Sequence, residues 1–305
     1  MQRAATPTSH PAVAIQRQPH PRQHQHRLGS GAAFRWSVLL NAGLSALQLV
    51  IGASFGSLAL IGDALHNLGD VAGLLLSWGA ERLSARAPSQ RYTYGFGRST
   101  QLASLANAVL ILMAAAVVMV EGVKRLLEPV PLHSGPVAWA AAAGIAVNAC
   151  SALLFRRQAA LDLNRRAAMV HLLTDAAVSA AVLLAAGAVA LTGWTWVDAA
   201  TGIGIGVAVA WTGLSILSQA MRIALDAVPE GIDLQAVEDC LRGLPGVLGV
   251  HHLHVWALST SQSALTAHVV RRASGINDLD LLHLAKQRLA EIGIAHSTIQ
   301  LEPPP

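Results

Sequence analysis

Two pairs of ionisable side chains interrupt otherwise apolar stretches of this sequence. The first pair is His66 and Asp70, and the second is His171 and Asp175. Each pair has the spacing H-x-x-x-D, which places both side chains on one face of a helix, one turn apart. If the two helices face each other, two imidazoles and two carboxylates converge. Two nitrogen and two oxygen ligands suit a tetrahedral Zn²⁺ ion, whose charge the two carboxylates cancel.

The apolar surroundings of these pairs make such side chains costly. A charged group at the centre of a bilayer costs about 2.5–3.5 kcal/mol on insertion scales. Ionisable residues within membrane spans are therefore candidates for a functional role. The alternative is a hydrogen-bonded cluster that only fixes helix packing. Asp63, one turn before His66 on the same face, is predicted to hydrogen-bond a ligating histidine or to line an aqueous entry.

The composition identifies the elements that must hold these residues. Of the 305 residues, 53% are hydrophobic and 12% are charged, and the mean hydropathy of +0.47 is typical of a membrane protein. About 20 apolar residues are needed to span the hydrocarbon core as a helix. Six such spans are predicted, at about 36–55, 58–81, 102–124, 135–155, 168–192 and 197–221. The two H-x-x-x-D pairs lie within the second and fifth spans.

Basic residues are concentrated in alternate loops. Arginines occur before the first span, between the second and third, between the fourth and fifth, and after the sixth, whereas the other loops contain only Lys124 and Arg125. The positive-inside rule places both termini and the Arg-rich loops in the cytoplasm. The arginines form no single patch, so the net charge of +4 does not indicate nucleic-acid binding.

The sequence divides into three predicted parts. Residues 1–32 form a Gln-, Pro-, His- and Arg-rich cytoplasmic arm, expected to be disordered, which is either a weak metal-binding tract or a plain basic arm. Residues 33–224 form a six-helix transmembrane domain. Residues 225–305 form a cytoplasmic α+β domain of ferredoxin or metallochaperone type. The arm contains His10, His20, His24 and His26.

The α+β prediction rests on periodicity and capping. The pattern predicts helices that begin after the N-cap residues Asp233 and Asn277, with alternating strands between and after them. The expected helices are at about 233–243 and 278–292, and the expected strands are near 247–257, 263–271 and 294–302.

Histidines recur on these predicted strands. In an unbroken strand, His251 lies on one face while His252, His254 and Trp256 share the other, so one site can include all three histidines only if the strand contains a bulge. His268 is the only histidine of its strand. The alternative to a metal site is that these histidines lie at the surface or at an interface, with their hydrogen bonds satisfied.

No enzyme signature accompanies either group of residues. The H-E-x-x-H and P-loop patterns are absent from the sequence. A catalytic Zn²⁺ keeps three protein ligands and an open position for water, whereas four candidate ligands in the membrane close the shell. Cys150 and Cys240 are too few for a disulfide framework or a thiolate site. The residues favour binding for passage over catalysis.

Several motifs, taken in order, resemble the cation diffusion facilitators, and most closely their bacterial zinc and cadmium efflux branch. The likeness runs from about residue 35 to 302. The motifs are G-S-L-A-L-I-G-D-A-L-H-N-L-G-D (56–70), R-Y-T-Y-G-F-G-R (91–98), L-N-R-R-A-A-M-V-H-L-L-T-D (163–175), G-V-H-H-L-H-V-W (249–256), A-H-V-V (267–270) and H-S-T-I-Q-L-E (296–302).

This resemblance implies a homodimer in the bacterial cytoplasmic (inner) membrane that exports Zn²⁺ from the cytoplasm in exchange for protons. His66 and Asp70 with His171 and Asp175 match the family's transport site. The His form of the helix-two pair is typical of zinc-preferring members, although Cd²⁺, Co²⁺ and other divalent metals are candidate substrates. No cofactor is implied beyond Zn²⁺ as substrate and regulatory ligand.

The resemblance also covers the cytoplasmic domain. His251, His268 and Glu302 match the family's regulatory metal site, with Gln300 standing where some members have another histidine. The loop 91–98 contains no Asp or His, so no metal site is predicted there. Two other classes of function remain alternatives: a metal-binding membrane sensor or channel without coupled transport, and an intramembrane metalloenzyme.

Overall fold

The structure is a computed structural model that describes residues 32–159, 163–259, 262–272 and 275–305. Side chains are described for residues 38–153, 166–259, 262–272 and 275–305. Residues 1–31 lie outside the described residues, and with them the four histidines of the predicted arm. In chain order, six long helices are followed by an α-β-β-α-β arrangement.

The described residues form six long helices where the hydropathy predicts spans. They are α1 Ala32–Phe55, α2 Leu58–Ser84, α3 Ser99–Leu127, α4 Ser134–Ala159, α5 Leu163–Thr192 and α6 Trp196–Ala224. All six are long and apolar enough to cross a membrane, so the chain is a multi-pass membrane protein. Each helix continues past the predicted span at one end or both.

Helix α2 lies at the centre of the bundle. It contacts α1, α3, α5 and α6, and Leu58, Leu60 and Ala64 are at most 1% exposed. Helix α6 packs closely against α2 at Gly202. A Cβ atom at this position would lie only 2.9 Å from Leu58 Cγ. Small residues at helix contacts allow such backbone approach in membranes. Helix α2, the most central helix, thus also carries one of the two ionisable pairs, His66 and Asp70.

The N-terminus of α2 is held by a buried carboxylate of α6. Asp198 is 3% exposed and accepts hydrogen bonds from the Ser57 hydroxyl and the Leu58 backbone N–H, both at 2.6 Å. Ser57 is the N-cap of α2, and its hydroxyl accepts from the Leu60 N–H at 3.1 Å. Two of the free N–H groups in the first turn thus have partners, and α2 is fixed against α6.

The C-terminal domain has the predicted α+β order. Its elements are α7 Leu234–Arg242, β1 Val247–Ser259, β2 Gln262–Arg271, α8 Asp278–Glu291 and β3 His296–Glu302. Strand β2 lies between the others, antiparallel to β1 and parallel to β3. The predicted caps are confirmed: Asp233 accepts from the Gln235 N–H, and Asn277 accepts from the Asp280 N–H.

One face of this sheet carries the core of the domain. Val237 and Leu241 of α7 and Leu281 and Leu289 of α8 cluster with Leu265 of β2, and all are at most 1% exposed. Because strand residues alternate between faces, the opposite face of the sheet is left for polar side chains.

We expect Asp198→Ala to destabilise the transmembrane domain. The change leaves the Ser57 hydroxyl and the Leu58 N–H without their acceptor in a buried site, and loss of a hydrogen bond to a charged group costs about 1.5–3 kcal/mol. A thermal melt of the purified protein in detergent measures the effect. Asp226→Asn is the control, because it removes the charge of an exposed ion pair with Arg98 that contributes about 0–1 kcal/mol, and asparagine tolerates the φ of +55° at this position. Equal melting temperatures for Asp198→Ala and wild type would contradict the prediction.

Candidate metal centre

The four membrane residues identified by their spacing lie together between α2 and α5. His66 Nε2 is 3.5 Å from Asp175 Oδ1, and His171 Nε2 is 3.3 Å from Asp70 Oδ2. Within each helix the imidazole and carboxylate atoms are 3.9 Å and 3.6 Å apart. Ligand atoms of one tetrahedral Zn²⁺ lie about 3.3–3.6 Å apart, given metal–ligand bonds of about 2.0–2.2 Å. These four nitrogen–oxygen distances are close to that spacing, although the two distances to Asp175 involve different oxygens, Oδ1 for His66 and Oδ2 for His171.

Two carboxylate oxygens at this point are buried without a hydrogen-bond donor among the described residues. They are Asp70 Oδ2 and Asp175 Oδ1, the atoms nearest to His171 and His66. A buried, unsatisfied carboxylate oxygen costs free energy. A divalent cation bound between the two helices would remove this cost, so the site fits a metal ion.

His171 is the least closely placed of the four. The ligand atoms of His66, Asp70 and Asp175 lie within 4.8 Å of one another, but the ring centroids of His66 and His171 are 6.4 Å apart. Two imidazoles bound to one tetrahedral ion have centroids about 5.2 Å apart. Because the His171 side chain is 52% exposed, its ring has room to move the remaining distance of about 1 Å.

Asp63 is hydrogen-bonded away from the imidazoles. Its Oδ2 accepts from the Ser179 hydroxyl at 2.8 Å, and its Oδ1 accepts from the Asn67 side-chain amide at 3.2 Å. Asp63 and Ser179 are both fully buried. The described contacts of Asp63 include no hydrogen bond to a ligating histidine, which was one of its two predicted roles. Asp63 instead connects α2 to α5 one turn from the ligands.

The sequence analysis missed Ser179 and Asn67. Ser179 follows Asp175 by four residues, so it lies on the ligand face of α5, and this spacing was the available signal. Serine in an apolar helix commonly bonds to the backbone of its own helix. Its residue type alone therefore does not reveal a partner on another helix.

A second group of candidate ligands lies on the exposed face of the cytoplasmic sheet. Glu302 is 2.9 Å from His251 Nε2 and 2.7 Å from His268 Nδ1, and Gln300 donates to Glu302 Oε1 at 3.0 Å. Desolvation acts to raise the pKa of Glu302, but the hydrogen bonds from His251 and His268 together lower it. Glu302 is therefore a carboxylate at neutral pH, as a metal ligand must be.

The prediction that His251 lies on the opposite face from His254 and Trp256 is wrong. His251 pairs with His268, and the next pair is His254 with Thr266. Two residues of β1, 252 and 253, therefore lie opposite the single residue 267 of β2. The first of these two residues, His252, has a φ of +47°. This bulge shifts the alternation by one residue, which returns His254 and Trp256 to the face of His251.

The loop between α2 and α3 contacts the cytoplasmic domain. Arg98 forms an ion pair with Asp226 at 2.7 Å, and the Tyr94 ring lies 6.0 Å from the His296 ring. These contacts connect the loop between α2 and α3 to the segment that follows α6 and to the first residue of β3. That the loop holds no metal stays a prediction.

Both parts of the chain match one family. Its cation efflux transmembrane domain matches residues 35–224. The cytoplasmic domain of the cation efflux proteins matches residues 229–304.

Curated relatives are similar over most of their length. The metal cation efflux system protein CzcD from Cupriavidus metallidurans is 31% identical over 280 residues, which cover 92% of this chain and 89% of the relative. The zinc transporter ZitB from Escherichia coli is 32% identical over 265 residues, covering 86% and 84%. A cadmium, cobalt and zinc/H(+)-K(+) antiporter from Bacillus velezensis is 27% identical over 284 residues, covering 92% and 91%.

We expect Ser179→Ala to lower both the melting temperature and the zinc affinity of the transmembrane site. The change leaves the buried Asp63 with one donor instead of two, at a cost of about 1–3 kcal/mol, and it loosens α5 against α2 beside the ligands. Thr174→Ala is the matched control, because the hydrogen bond described for Thr174 is to the Val170 carbonyl of its own helix, at an exposed position. Melting in detergent and zinc titration measure the two effects. Identical values for Ser179→Ala and Thr174→Ala would exclude this role for Ser179.

Proposed function

The chain belongs to the cation efflux family, and we propose that it is a proton-coupled antiporter that exports Zn²⁺ from the cytoplasm through the site formed by His66, Asp70, His171 and Asp175. Members of this family are transporters, not enzymes. Cd²⁺, Co²⁺ and other divalent transition metals are further candidate substrates, because sites of nitrogen and oxygen ligands follow a common order of affinity for these ions.

The convergence of two imidazoles and two carboxylates inside the membrane is the observation that carries this proposal. Calcium and magnesium prefer six or more oxygen ligands or mostly water, whereas two nitrogens and two oxygens at tetrahedral spacing favour Zn²⁺. The names of the relatives CzcD, ZitB and the Bacillus antiporter agree with an ion of this class.

Exposure along the two helices supports a conformation open to the cytoplasm. With the predicted orientation, α2 runs inward and α5 runs outward, so Asp70 and His171 are the inner members of their pairs. Their side chains are 29% and 52% exposed, against 16% for His66 and 2% for Asp175. Asp63, farther out on α2, is fully buried. We propose that a metal ion reaches the ligands from this inner side.

Competition between protons and metal at the imidazoles supplies the proposed coupling. A histidine must be neutral to bind Zn²⁺, and its unperturbed pKa of about 6.5 lies close to physiological pH. A site open to a near-neutral cytoplasm loads Zn²⁺ and releases protons. When the site reopens to a more acidic exterior, protons return to the ligands and the metal leaves. Rocking of helices around a fixed site near the bilayer midplane is the general means of such alternating access.

We further propose that the chain acts as a homodimer and that Zn²⁺ bound by His251, His268 and Glu302 regulates it. The cytoplasmic domain has only about 80 residues, enough for a marginal core, so contacts with a second copy would help to stabilise it. Zinc bound to the exposed face of the sheet would strengthen the dimer when cytoplasmic zinc is abundant.

We expect Asp70→Ala and Asp175→Ala each to abolish zinc transport while the protein stays folded. Either change removes a ligand and one of the two charges that neutralise the ion. Zinc flux into proteoliposomes, with melting temperature as the folding check, measures the outcome. Glu121→Gln is the matched control, because Glu121 is a carboxylate in a membrane helix that already pairs with Arg125. Full transport by Asp70→Ala or Asp175→Ala would refute the four-ligand site.

We expect zinc flux to saturate with zinc concentration and to move against a zinc gradient when a pH gradient is imposed. Collapse of the pH gradient with a protonophore should stop this uphill flux, because protons then no longer displace the metal. A channel would pass zinc only down its gradient, and a sensor would pass none, so either result would favour the alternative. The same assay with Cd²⁺ and Co²⁺ ranks the substrates.

A further inference from the structure

The bulge in β1 places one additional histidine beside the cytoplasmic candidate site. His251 pairs directly with His268 across the two strands, and His252 is the residue at which β1 leaves the regular pattern, with a φ of +47°. This left-handed backbone conformation is uncommon for residues other than glycine. Bulges of this kind are frequent beside functional sites, where they redirect a side chain.

The three imidazoles form a nearly equilateral triangle. Their ring centroids are 5.3 Å apart for His251 and His252, 5.2 Å for His251 and His268, and 5.1 Å for His252 and His268. An imidazole centroid lies about 3.2 Å from a Zn²⁺ ion bound through nitrogen, so two imidazoles at the tetrahedral angle are about 5.2 Å apart. All three pairs match this spacing.

A carboxylate lies at the fourth corner of this group. Glu302 approaches His251 and His268 to within 2.9 Å and 2.7 Å. Gln300 directs its amide nitrogen at the same carboxylate, so it acts as a donor that positions Glu302. Structural zinc sites are almost always closed by four protein ligands, and without His252 this group supplies three.

We propose that His252 is the fourth ligand of a site for Zn²⁺ or a similar divalent transition metal, formed with His251, His268 and Glu302. This inference rests on the proposed regulatory site and assigns its coordination. The ligand atoms of the other three residues already lie within 4.8 Å of one another. His252 joins them by rotation of its ring, which is exposed and free to turn.

The test is a Co²⁺ titration of the full-length protein in detergent, followed by displacement with Zn²⁺. The parent carries Asp70→Ala and Asp175→Ala, so that metal in the membrane site does not contribute. Visible absorption of bound Co²⁺ reports the number and type of its ligands. His252→Asn is the main variant, because asparagine tolerates a positive φ and keeps the bulge.

We expect His252→Asn to weaken Co²⁺ and Zn²⁺ binding at least about 10-fold, the lower limit for loss of a partner beyond the ligands themselves, and to change the absorption of bound Co²⁺. His268→Asn should abolish binding at this site. His254→Asn is the matched control and should leave affinity and spectrum unchanged, because His254 lies on the same strand outside the triangle, 6.5 Å from His252.

A second variant separates ligation from folding. Glycine adopts a positive φ without strain, so His252→Gly should melt at or above the parent's temperature without metal and still bind metal more weakly. Unchanged affinity and spectrum in His252→Asn, together with loss of binding in His268→Asn, would overturn the proposal and leave a three-ligand site. Absence of any binding that His268→Asn removes would overturn the cytoplasmic site as a whole.

Discussion

The pairing of two imidazoles with two carboxylates between α2 and α5 is the interaction on which the rest of the membrane domain depends. Each group alone is costly in a bilayer, and the carboxylate oxygens of Asp70 and Asp175 remain without donors among the described residues. Their cost falls when a divalent cation lies between them, so that binding the ion is favourable. In the proposed mechanism, the same residues bind protons when the ion leaves. A site that is costly when empty and can be filled in two ways is suited to exchange.

Such a site is useful only if the two helices keep their register. Helix α2 is held at its N-terminus by Asp198 of α6 and, beside the ligands, by the hydrogen bond from Ser179 to Asp63. Both contacts are buried and lie on the outer side of the ligands in the predicted orientation. The inner ends of the ligand pairs are the more exposed. Rigid contacts on one side of the site and more exposed side chains on the other agree with the proposed inward-facing conformation.

The two candidate metal sites use similar ligands but are built by different means. In the membrane, a spacing of four residues along regular helices aligns His with Asp, so the site follows from helix geometry. In the cytoplasmic domain, the regular alternation of β1 would separate adjacent histidines, and a bulge at His252 brings them together. The first arrangement suits an ion that must pass through, while the second is a local device on the exposed face of a small sheet.

The sequence by itself determined the six spans, the order of the C-terminal elements with their caps Asp233 and Asn277, and the four candidate membrane ligands. These features follow from local periodicity, which pattern and composition record directly. The tertiary structure decided which groups surround the ligands. Ser179 reaches Asp63 across two helices, and the bulge at His252 reverses the predicted faces of β1. Contacts between distant segments and departures from regular backbone geometry depend on how the elements pack, which no local spacing encodes.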